Sequence, residues 1–250
     1  MERVYSPVIG VARTLFAFEG LRFRMEGVEN VPRNGGAVMV INHTGYMDFT
    51  YAGLAARRAR RFVRFMAKES IFGHRITGPL MRGMKHIPVD RQAGAASFRA
   101  AIAALKAGEI VGVFAEGTIS RSFEIKEFKS GAVRMAQLAG VPILPVTIWG
   151  SQRVWTKDHP KRLGRTRIPI FVTIGEPMTV ARGEDAEAAT AELRQRMIAQ
   201  LHRQQEEYPP LTGDDLVFLP ARLGGKAPTP EEALASEIRD SSRTRDEFNR

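Results

Sequence analysis

The chain has 250 residues, of which 44% are hydrophobic and 26% charged, and it contains no cysteine. This composition excludes collagen-like and wholly disordered chains, and the missing cysteine excludes disulfides, thiolate metal sites and a cysteine nucleophile. The charge is uneven: residues 1–183 carry 28 basic and 13 acidic groups, and residues 184–250 carry 9 and 14. A basic body with an acidic C-terminal part indicates an anionic partner, such as nucleic acid, lipid headgroups or a phosphorylated substrate.

The first predicted element is an amphipathic helix within residues 4–21. Its apolar face consists of Val8, Ala12, Leu15, Phe16 and Phe18. A basic, aromatic-rich helix of this kind can lie in a membrane interface, and a helix packed on the core has the same pattern, so both interpretations stay open. The longest apolar runs reach about five residues, far short of the roughly 20 that a membrane-spanning helix needs, and the N-terminus lacks the features of a signal peptide.

Strand and helix patterns then alternate along the chain. Strands are predicted at 37–41, 62–67, 87–89, 110–115, 141–149 and 168–174. Helices are predicted at 95–107, 130–139 and 184–205, with a helical stretch also running toward residue 56. This alternation predicts an α/β fold with a mixed, substantially parallel sheet flanked by helices, preceded by the N-terminal amphipathic helix.

Three segments follow from these patterns. Residues 1–27 form a membrane-associating helical segment, residues 28–206 form the central domain, and residues 207–250 form a polar C-terminal tail. Proline, glycine and charge dominate from residue 208 onward. We therefore expect the tail to be disordered or to lie along the surface, with a short helix at 231–239.

The first candidate motif is Asn42-His43-Thr44-Gly45-Tyr46-Met47-Asp48. Ligands of parallel sheets bind beyond the carboxyl ends of strands, and His43 follows the end of one predicted strand. Asp48 can accept a hydrogen bond from one imidazole nitrogen and so leave the other nitrogen free to take a proton. This is the base and orienting group of a hydrolytic triad without its serine. On spacing alone, a histidine that caps a helix beside a solvated aspartate remains the alternative.

The second candidate motif spans residues 113–122, where a buried strand enters a loop rich in glycine and hydroxyl groups. Backbone N–H groups, the loop hydroxyls and Arg121 could hold an anion such as phosphate. Lys126, Lys129 and the helix that starts near Ser130 lie just downstream, and a helix N-terminus also favours anions. A plain polar turn is the alternative interpretation.

Two further segments complete the set. Arg91 closes the segment His86–Arg91 and is either a second phosphate ligand or a surface ion-pair partner of Asp90. The segment Val141-Pro142-Ile143-Leu144-Pro145-Val146 is a proline-bracketed apolar strand that forms either a rigid substrate wall or ordinary core. The other four histidines show no metal-ligand spacing, and no Walker loop, G-x-G-x-x-G or G-x-S-x-G motif is present.

Together these four segments resemble the glycerolipid acyltransferase family that includes bacterial 1-acyl-glycerol-3-phosphate acyltransferases. That family shows four blocks in this order: N-H-x4-D, a block ending in arginine, F-P-E-G-T-R-S and V-P-I-x-P-V. This chain has, in the same order, NHTGYMD (42–48), GMKHIPVDR (83–91), FAEGTISRS (114–122) and VPILPV (141–146). The match spans about residues 28–180. Two positions depart from the pattern: Ala115 replaces the proline, and Ile119 replaces the arginine, which leaves Arg121 as the nearest guanidinium.

The resemblance implies transfer of an acyl group from acyl-CoA or acyl-carrier protein to a hydroxyl of a lysophospholipid acceptor, by default lysophosphatidic acid. His43 and Asp48 would be the catalytic base and its orienting group. The acceptor would be bound by Arg91, Glu116, Gly117, Thr118, Arg121 and Lys129. Within that set Glu116 would brace the loop or contact an acceptor hydroxyl rather than transfer protons. No metal or prosthetic cofactor is implied.

The basic surface, with five arginines in residues 57–64, predicts a peripheral location on an anionic membrane surface at the cytoplasmic face. The phosphates of CoA, or simple solvation of these arginines, are the alternatives. Other acceptors, such as lysophosphatidylinositol, remain open, as does a hydrolase that uses water at the same His43–Asp48 pair. A non-catalytic anion-binding module ranks last, and no nucleic acid partner is expected, because stacking aromatics do not accompany the basic residues.

Overall fold

The computed structural model describes residues 3–90 and 94–248, except for the side chains of residues 241–248. In this part of the chain seven strands form one sheet and α-helices cover both of its faces. The strands are β1 (Arg22–Glu26), β2 (Ala37–Ile41), β3 (Val63–Lys68), β4 (Ile87–Val89), β5 (Ile110–Val113), β6 (Ile143–Trp149) and β7 (Pro169–Ile174). The helices are α1 (Tyr5–Glu19), α2 (Asp48–Arg58), α3 (Glu69–Phe72), α4 (Thr77–Gly83), α5 (Gly94–Lys106), α6 (Gly131–Ala139), α7 (Ala186–Glu207) and α8 (Pro230–Phe248).

The sheet has the strand order β1-β7-β6-β2-β5-β3-β4. Every neighbouring pair is parallel except β6 and β7, which run antiparallel. The predicted mixed, substantially parallel α/β fold is therefore confirmed. None of the helices in the two described stretches is both long and apolar enough to cross a bilayer.

The central strand β2 separates two hydrophobic cores. Val38 and Val40 belong to the core that also contains side chains of α5, α6 and α7. Met39 and Ile41 point to the opposite face, into the core formed with α1 and α2. Because both faces are covered, the strand is apolar throughout, which is the usual pattern of a central parallel strand.

The carboxyl ends of β2 and β5 lie side by side. The two strands are parallel, with Val40 opposite Val113. The residues that follow them, His43 after β2 and Glu116 after β5, therefore leave the sheet at the same edge. This is the edge at which open α/β sheets bind ligands.

The N-terminal segment differs from its prediction in two ways. The helix ends at Glu19 with Gly20 in the left-handed conformation, and residues 22–26 form an edge strand instead of continuing the predicted segment 1–27. The predicted apolar face is also divided, because Phe16 is buried whereas Phe18 is 67% exposed. One side of α1 packs on the core, and the other side presents Val11, Leu15 and Phe18 to solvent.

The segment after α7 lies along the surface and packs on the body of the protein. Tyr208, Leu211, Phe218 and Ala227 are buried in the same core as α7. Of the two expectations for this stretch, disorder or a position along the surface, the structure shows the second. The final helix is longer than the predicted 231–239, since α8 begins at Pro230 and ends at Phe248. Among the α8 side chains that the structure describes, Ala233 is buried.

Candidate active site

His43 and Asp48 form a hydrogen-bonded pair at the carboxyl edge of the sheet. His43 Nδ1 lies 3.1 Å from Asp48 Oδ2. A carboxylate only accepts hydrogen bonds, so Nδ1 carries the proton and Nε2 keeps its lone pair. The imidazole is 19% exposed, and no group among the described residues hydrogen-bonds to Nε2. The ring can therefore act as a base toward a molecule arriving from solvent.

Asp48 is held in place by the loop that precedes it. It is the first residue of α2 and is fully buried, and its Oδ2 accepts the backbone N–H groups of Thr44 and Gly45, each at 2.8 Å. These bonds, together with the N-terminal end of the helix, hold the buried carboxylate in a fixed orientation. A buried negative charge next to Nδ1 stabilises the imidazolium that forms when Nε2 takes a proton.

Two side chains that sequence reasoning did not single out support the pair. Phe114 stacks on His43, with ring centroids 4.0 Å apart and an interplanar angle of 22°. Asn42 connects β2 to β6, because its amide donates to the carbonyl of Ile148 at 3.1 Å and accepts the N–H of Ile148 at 2.7 Å. Both residues belong to the predicted motifs, but only the fold reveals their contacts.

Glu116 braces the site from the neighbouring strand. Its Oε1 accepts the backbone N–H of His43 at 2.7 Å, and its Oε2 accepts the backbone N–H of Lys126 at 3.1 Å. Burial raises the pKa of Glu116 to about 8, because desolvation outweighs these two hydrogen bonds and the nearby Lys126 charge. Since both carboxyl oxygens are occupied by backbone donors, the bracing role fits the geometry better than direct contact with the acceptor.

The loop after Glu116 is shaped by a glycine and a buried isoleucine. Gly117 has φ of +77°, a conformation that favours glycine. Thr118 Oγ1 accepts a hydrogen bond from Lys126 Nζ at 2.5 Å. Ile119 is buried, and Ser120 N–H donates to the carbonyl of His43 at 2.8 Å. Position 119 is therefore a packing position here, and the cations of this loop come from farther along the chain.

The predicted cations are placed differently from one another. Arg121 is 10% exposed and pairs with Asp158 and Asp240, each at 2.5 Å. Lys129 is exposed, and its Nζ lies close to Gly117. Arg91 lies outside the described residues, so its predicted phosphate contact is not addressed by the structure. Lys126 and Lys129 thus lie beside Thr118 and Gly117, whereas Arg121 pairs with two carboxylates.

The remaining sequence candidates have structural roles. The block VPILPV provides the start of β6, in which every residue is buried. Two of the five arginines in block 57–64 are used within the protein. Arg61 donates to the carbonyls of Pro32, Gly35 and Gly108. Arg64 is buried and pairs with Glu109 at 3.0 Å. Only the arginines nearer the surface, among them Arg57 and Arg58, remain for an anionic partner.

The fold and the His43–Asp48 site agree with the protein family that the sequence matches. The family model for acyltransferases matches residues 22–149, so the chain belongs to the acyltransferase family. The family resemblance drawn from the four blocks is thereby confirmed.

Two named relatives share part of this sequence. The chain is 34% identical over 123 residues to the 1-acyl-sn-glycerol-3-phosphate acyltransferase of Bacillus subtilis, covering 49% of this chain and 60% of the relative. It is 30% identical over 145 residues to the enzyme of the same name from Borreliella burgdorferi, covering 56% of each chain. The chain thus spans about 56–60% of the length of these relatives.

A solved structure shares the architecture. The crystal structure of the 1-acyl-sn-glycerophosphate (LPA) acyltransferase PlsC from Thermotoga maritima superposes with a TM-score of 0.56 at 26% sequence identity. The similarity covers 76% of this chain and 79% of that chain. It therefore extends beyond the residues matched by the family model.

Proposed function

We propose that this protein transfers a fatty acyl group from acyl-CoA or acyl-carrier protein to the free glycerol hydroxyl of lysophosphatidic acid, which gives phosphatidic acid. The observation that carries the proposal is the His43–Asp48 pair, in which Nδ1 lies 3.1 Å from the carboxylate and the imidazole is 19% exposed. The names of the Bacillus subtilis and Borreliella burgdorferi relatives support this choice of acceptor.

The chemistry follows from the pair. His43 Nε2 removes the hydroxyl proton as the acceptor oxygen attacks the thioester carbonyl, and Asp48 stabilises the resulting imidazolium. A backbone N–H of the loop 116–118 stabilises the oxyanion of the tetrahedral intermediate. When the intermediate collapses, the C–O bond remains, the C–S bond breaks, and the thiolate leaves with the proton from His43. General-base assistance of this kind contributes about 10²–10⁴-fold in rate.

The acceptor's phosphate would be held by the cations around Gly117 and Thr118. Lys126 and Lys129 approach this loop directly, and charge-assisted contacts of this kind are among the strongest polar interactions in proteins. We assign Arg91, Glu116, Gly117, Thr118, Arg121 and Lys129 to acceptor binding, with Glu116 acting through the loop that it braces.

The test is a mass-spectrometric transfer assay. The full chain is incubated in detergent with palmitoyl-CoA, or a palmitoylated carrier protein, and a panel of lysophospholipids. We expect a diacyl product from lysophosphatidic acid, a loss of at least about 100-fold in His43→Ala, and wild-type rates in His74→Ala, whose imidazole is at the surface. Product from lysophosphatidylinositol alone would change the acceptor. Free fatty acid without acceptor would make the protein a thioesterase, and no turnover would overturn the proposal.

A peripheral location at the cytoplasmic face of the membrane accompanies this function. Val11, Leu15 and Phe18 form an exposed apolar row on α1. A cleft of about 400 Å³ beside the helix is lined by Arg13, Arg57 and Arg58 together with apolar side chains. Apolar groups flanked by arginines suit an anionic lipid surface.

Vesicle sedimentation tests this location. Wild type is expected to bind phosphatidylglycerol vesicles more strongly than phosphatidylcholine vesicles, and Phe18→Ser is expected to weaken binding. The matched control is Leu163→Ser, which removes an exposed apolar side chain outside α1. Equal losses in the two variants, or no binding by wild type, would contradict the assignment of α1 to the membrane surface.

A further inference from the structure

Three cations beside the candidate active site are paired with carboxylates of the C-terminal helix α8. Lys126 Nζ lies 2.8 Å and 3.1 Å from the two carboxylate oxygens of Glu237. Asp240 Oδ2 lies 2.5 Å from Arg121 Nη2 and 3.1 Å from Lys157 Nζ. Glu237 and Asp240 are three positions apart, so they project from the same side of the helix.

One of these cations, Lys126, is connected to the catalytic pair through Glu116. Lys126 Nζ also donates to Thr118 Oγ1 at 2.5 Å, and the backbone N–H of Lys126 donates to Glu116. The other oxygen of Glu116 accepts the N–H of His43. The carboxylates of α8 therefore occupy cations in the loop to which the acceptor's phosphate is assigned.

Arg121 shows an additional feature of an anion site. Its Nη1 is buried and has no hydrogen-bond partner among the described residues. A buried guanidinium nitrogen without an acceptor is unusual in proteins, because burial removes it from water as well. A phosphate group has more oxygens than the single carboxylate oxygen that Asp240 places at Nη2, so it can satisfy more of these donors.

The surrounding charges keep the pairing intact at neutral pH. Hydrogen bonds from Arg121 and Lys157 lower the pKa of Asp240 to about 2. Asp240 is thus ionised throughout the physiological range, and acidification to ordinary pH values leaves the contact closed. Competition by another anion, or screening by salt, is the way to open it.

We infer that Arg121, Lys126 and Lys157 together form the binding site for the acceptor's phosphate, and that α8 is an autoinhibitory strap whose Glu237 and Asp240 occupy this site until a phosphate-bearing ligand displaces them. The inference rests on the proposed function for the identity of the ligand. It adds Lys126 and Lys157 to the residues assigned to acceptor binding and gives the acidic C-terminal part of the chain a role. It also explains why Arg121 is paired with Asp240 of α8.

The test uses the full chain with Glu237→Gln/Asp240→Asn, which removes both carboxylates while preserving side-chain size. The charge-matched control is Glu187→Gln/Glu192→Gln, whose carboxylates pair with Arg134 and Arg196 on exposed surfaces. Glycerol 3-phosphate serves as the soluble probe and glycerol as its uncharged counterpart. Calorimetry measures binding, and amide hydrogen exchange reports the opening of residues 231–240.

In wild type, glycerol 3-phosphate but not glycerol is expected to speed exchange in residues 231–240. In the α8 variant, exchange there is already fast, and the probe binds about 5- to 30-fold more tightly, as expected when two partly exposed ion pairs no longer compete. Lys157→Met is expected to weaken probe binding in the α8 variant background. Equal affinities in wild type and the α8 variant, or exchange that ignores the probe, would overturn the inference.

An acyl-transfer assay distinguishes a failure of the autoinhibition inference from a failure of the proposed function. With lysophosphatidic acid, the α8 variant is expected to show a lowered KM with kcat within about twofold, and the control pair is expected to match wild type. If transfer occurs and the KM of the α8 variant equals that of the control, the strap is wrong and the function stands. If no transfer occurs but the probe still opens α8, the proposed function is wrong and the anion site stands.

Discussion

Glu116 Oε1 accepts the backbone N–H of His43 at 2.7 Å, across 73 positions of sequence. This contact joins the ends of β2 and β5 and fixes the main chain of the proposed base. The second oxygen of the same carboxyl group holds the N–H of Lys126. The base and the cationic loop are therefore positioned by one buried side chain.

Glu116→Gln is expected to lower kcat by up to about 100-fold, because a misplaced catalytic group is costly even when it is not removed. The amide can accept only one of the two backbone N–H groups, and its own NH2 faces the other. Stability should fall by about 1–3 kcal/mol for the unsatisfied donor. Steady-state kinetics and urea denaturation measure the two effects, and an unchanged kcat would remove the bracing role.

The difference in stability between wild type and Glu116→Gln is also expected to depend on pH. Since burial raises the folded-state pKa of Glu116 from 4.5 to about 8, its contribution to stability is fully present below pH 4.5 and is lost as the pH rises through 8. Wild type should therefore lose stability relative to Glu116→Gln between these values. A difference that is constant across this range would contradict the raised pKa.

Asp48→Asn separates the charge of the orienting group from its geometry. Asp48 Oδ1 has no hydrogen-bond partner among the described residues, so the new amide nitrogen can take that place while the oxygen keeps the bonds from Thr44, Gly45 and His43. Loss of the negative charge leaves the imidazolium unsupported, and we expect kcat to fall by about 10³-fold or more with little change in KM. Retention of more than a tenth of wild-type kcat would show that orientation alone suffices.

The parts of the fold that can be predicted from sequence are those whose physical causes lie within a few neighbouring residues. β2 begins and ends as predicted, because its five consecutive apolar residues are buried on both faces. The predicted strands do not include β1, because Arg22, Arg24 and Glu26 interrupt its apolar residues on the exposed side of an edge strand. The charges conceal an alternation in which Phe23 and Met25 pack inward.

In the candidate site, too, local contacts can be predicted from sequence and long-range contacts cannot. The His43–Asp48 pair was predictable, because five positions across one loop and helix start constrain both side chains. The ion pair of Arg121 with Asp240 was not, because it joins residues 119 positions apart. The larger apolar residues of α8, Leu234 and Ile238, are exposed, whereas its inward side carries Ala233, Glu237 and Asp240. The apolar pattern therefore does not indicate which side of the helix packs on the protein, and the partners of Asp240 become visible only once α8 is placed beside the loop.

Glu19→Leu is expected to stabilise the fold. Glu19 is 1% exposed, and neither carboxylate oxygen has a hydrogen-bond partner among the described residues. Burial raises its pKa, so the wild-type chain loses stability as the pH rises above 4.5 toward and through the raised value. We expect a gain of about 1–3 kcal/mol at pH 8 and a smaller gain at pH 4. Urea denaturation at both pH values measures this.

Glu29→Leu is the matched control for that variant, because Glu29 is an exposed glutamate. It should change stability by less than about 0.5 kcal/mol. If Glu19→Leu instead destabilises the protein at both pH values, the buried carboxyl group must have a partner that favours it, and the argument from unsatisfied burial fails.

His86 should make the protein sensitive to mild acid. It is buried, its Nδ1 accepts the N–H of Phe65 at 3.0 Å, and its ring packs edge-on against Tyr5 and Phe65. Burial, followed by the Arg64 charge, lowers the pKa of His86 to about 4. The ring is therefore neutral at pH 7, and its acceptor nitrogen is part of the structure that holds β3.

Because the folded-state pKa of His86 lies below the unfolded value of 6.5, its contribution to stability is present above pH 6.5 and is lost as the pH falls through 4. A shift of this size corresponds to about 3 kcal/mol. His86→Gln, whose amide oxygen can still accept the N–H of Phe65, should lack this part of the acid sensitivity, so that the stability difference from wild type shrinks between pH 7 and 4. His74→Gln removes an exposed imidazole as the control. Parallel pH profiles for wild type and His86→Gln would mean that the buried imidazole takes up its proton in the folded protein as readily as in the unfolded chain.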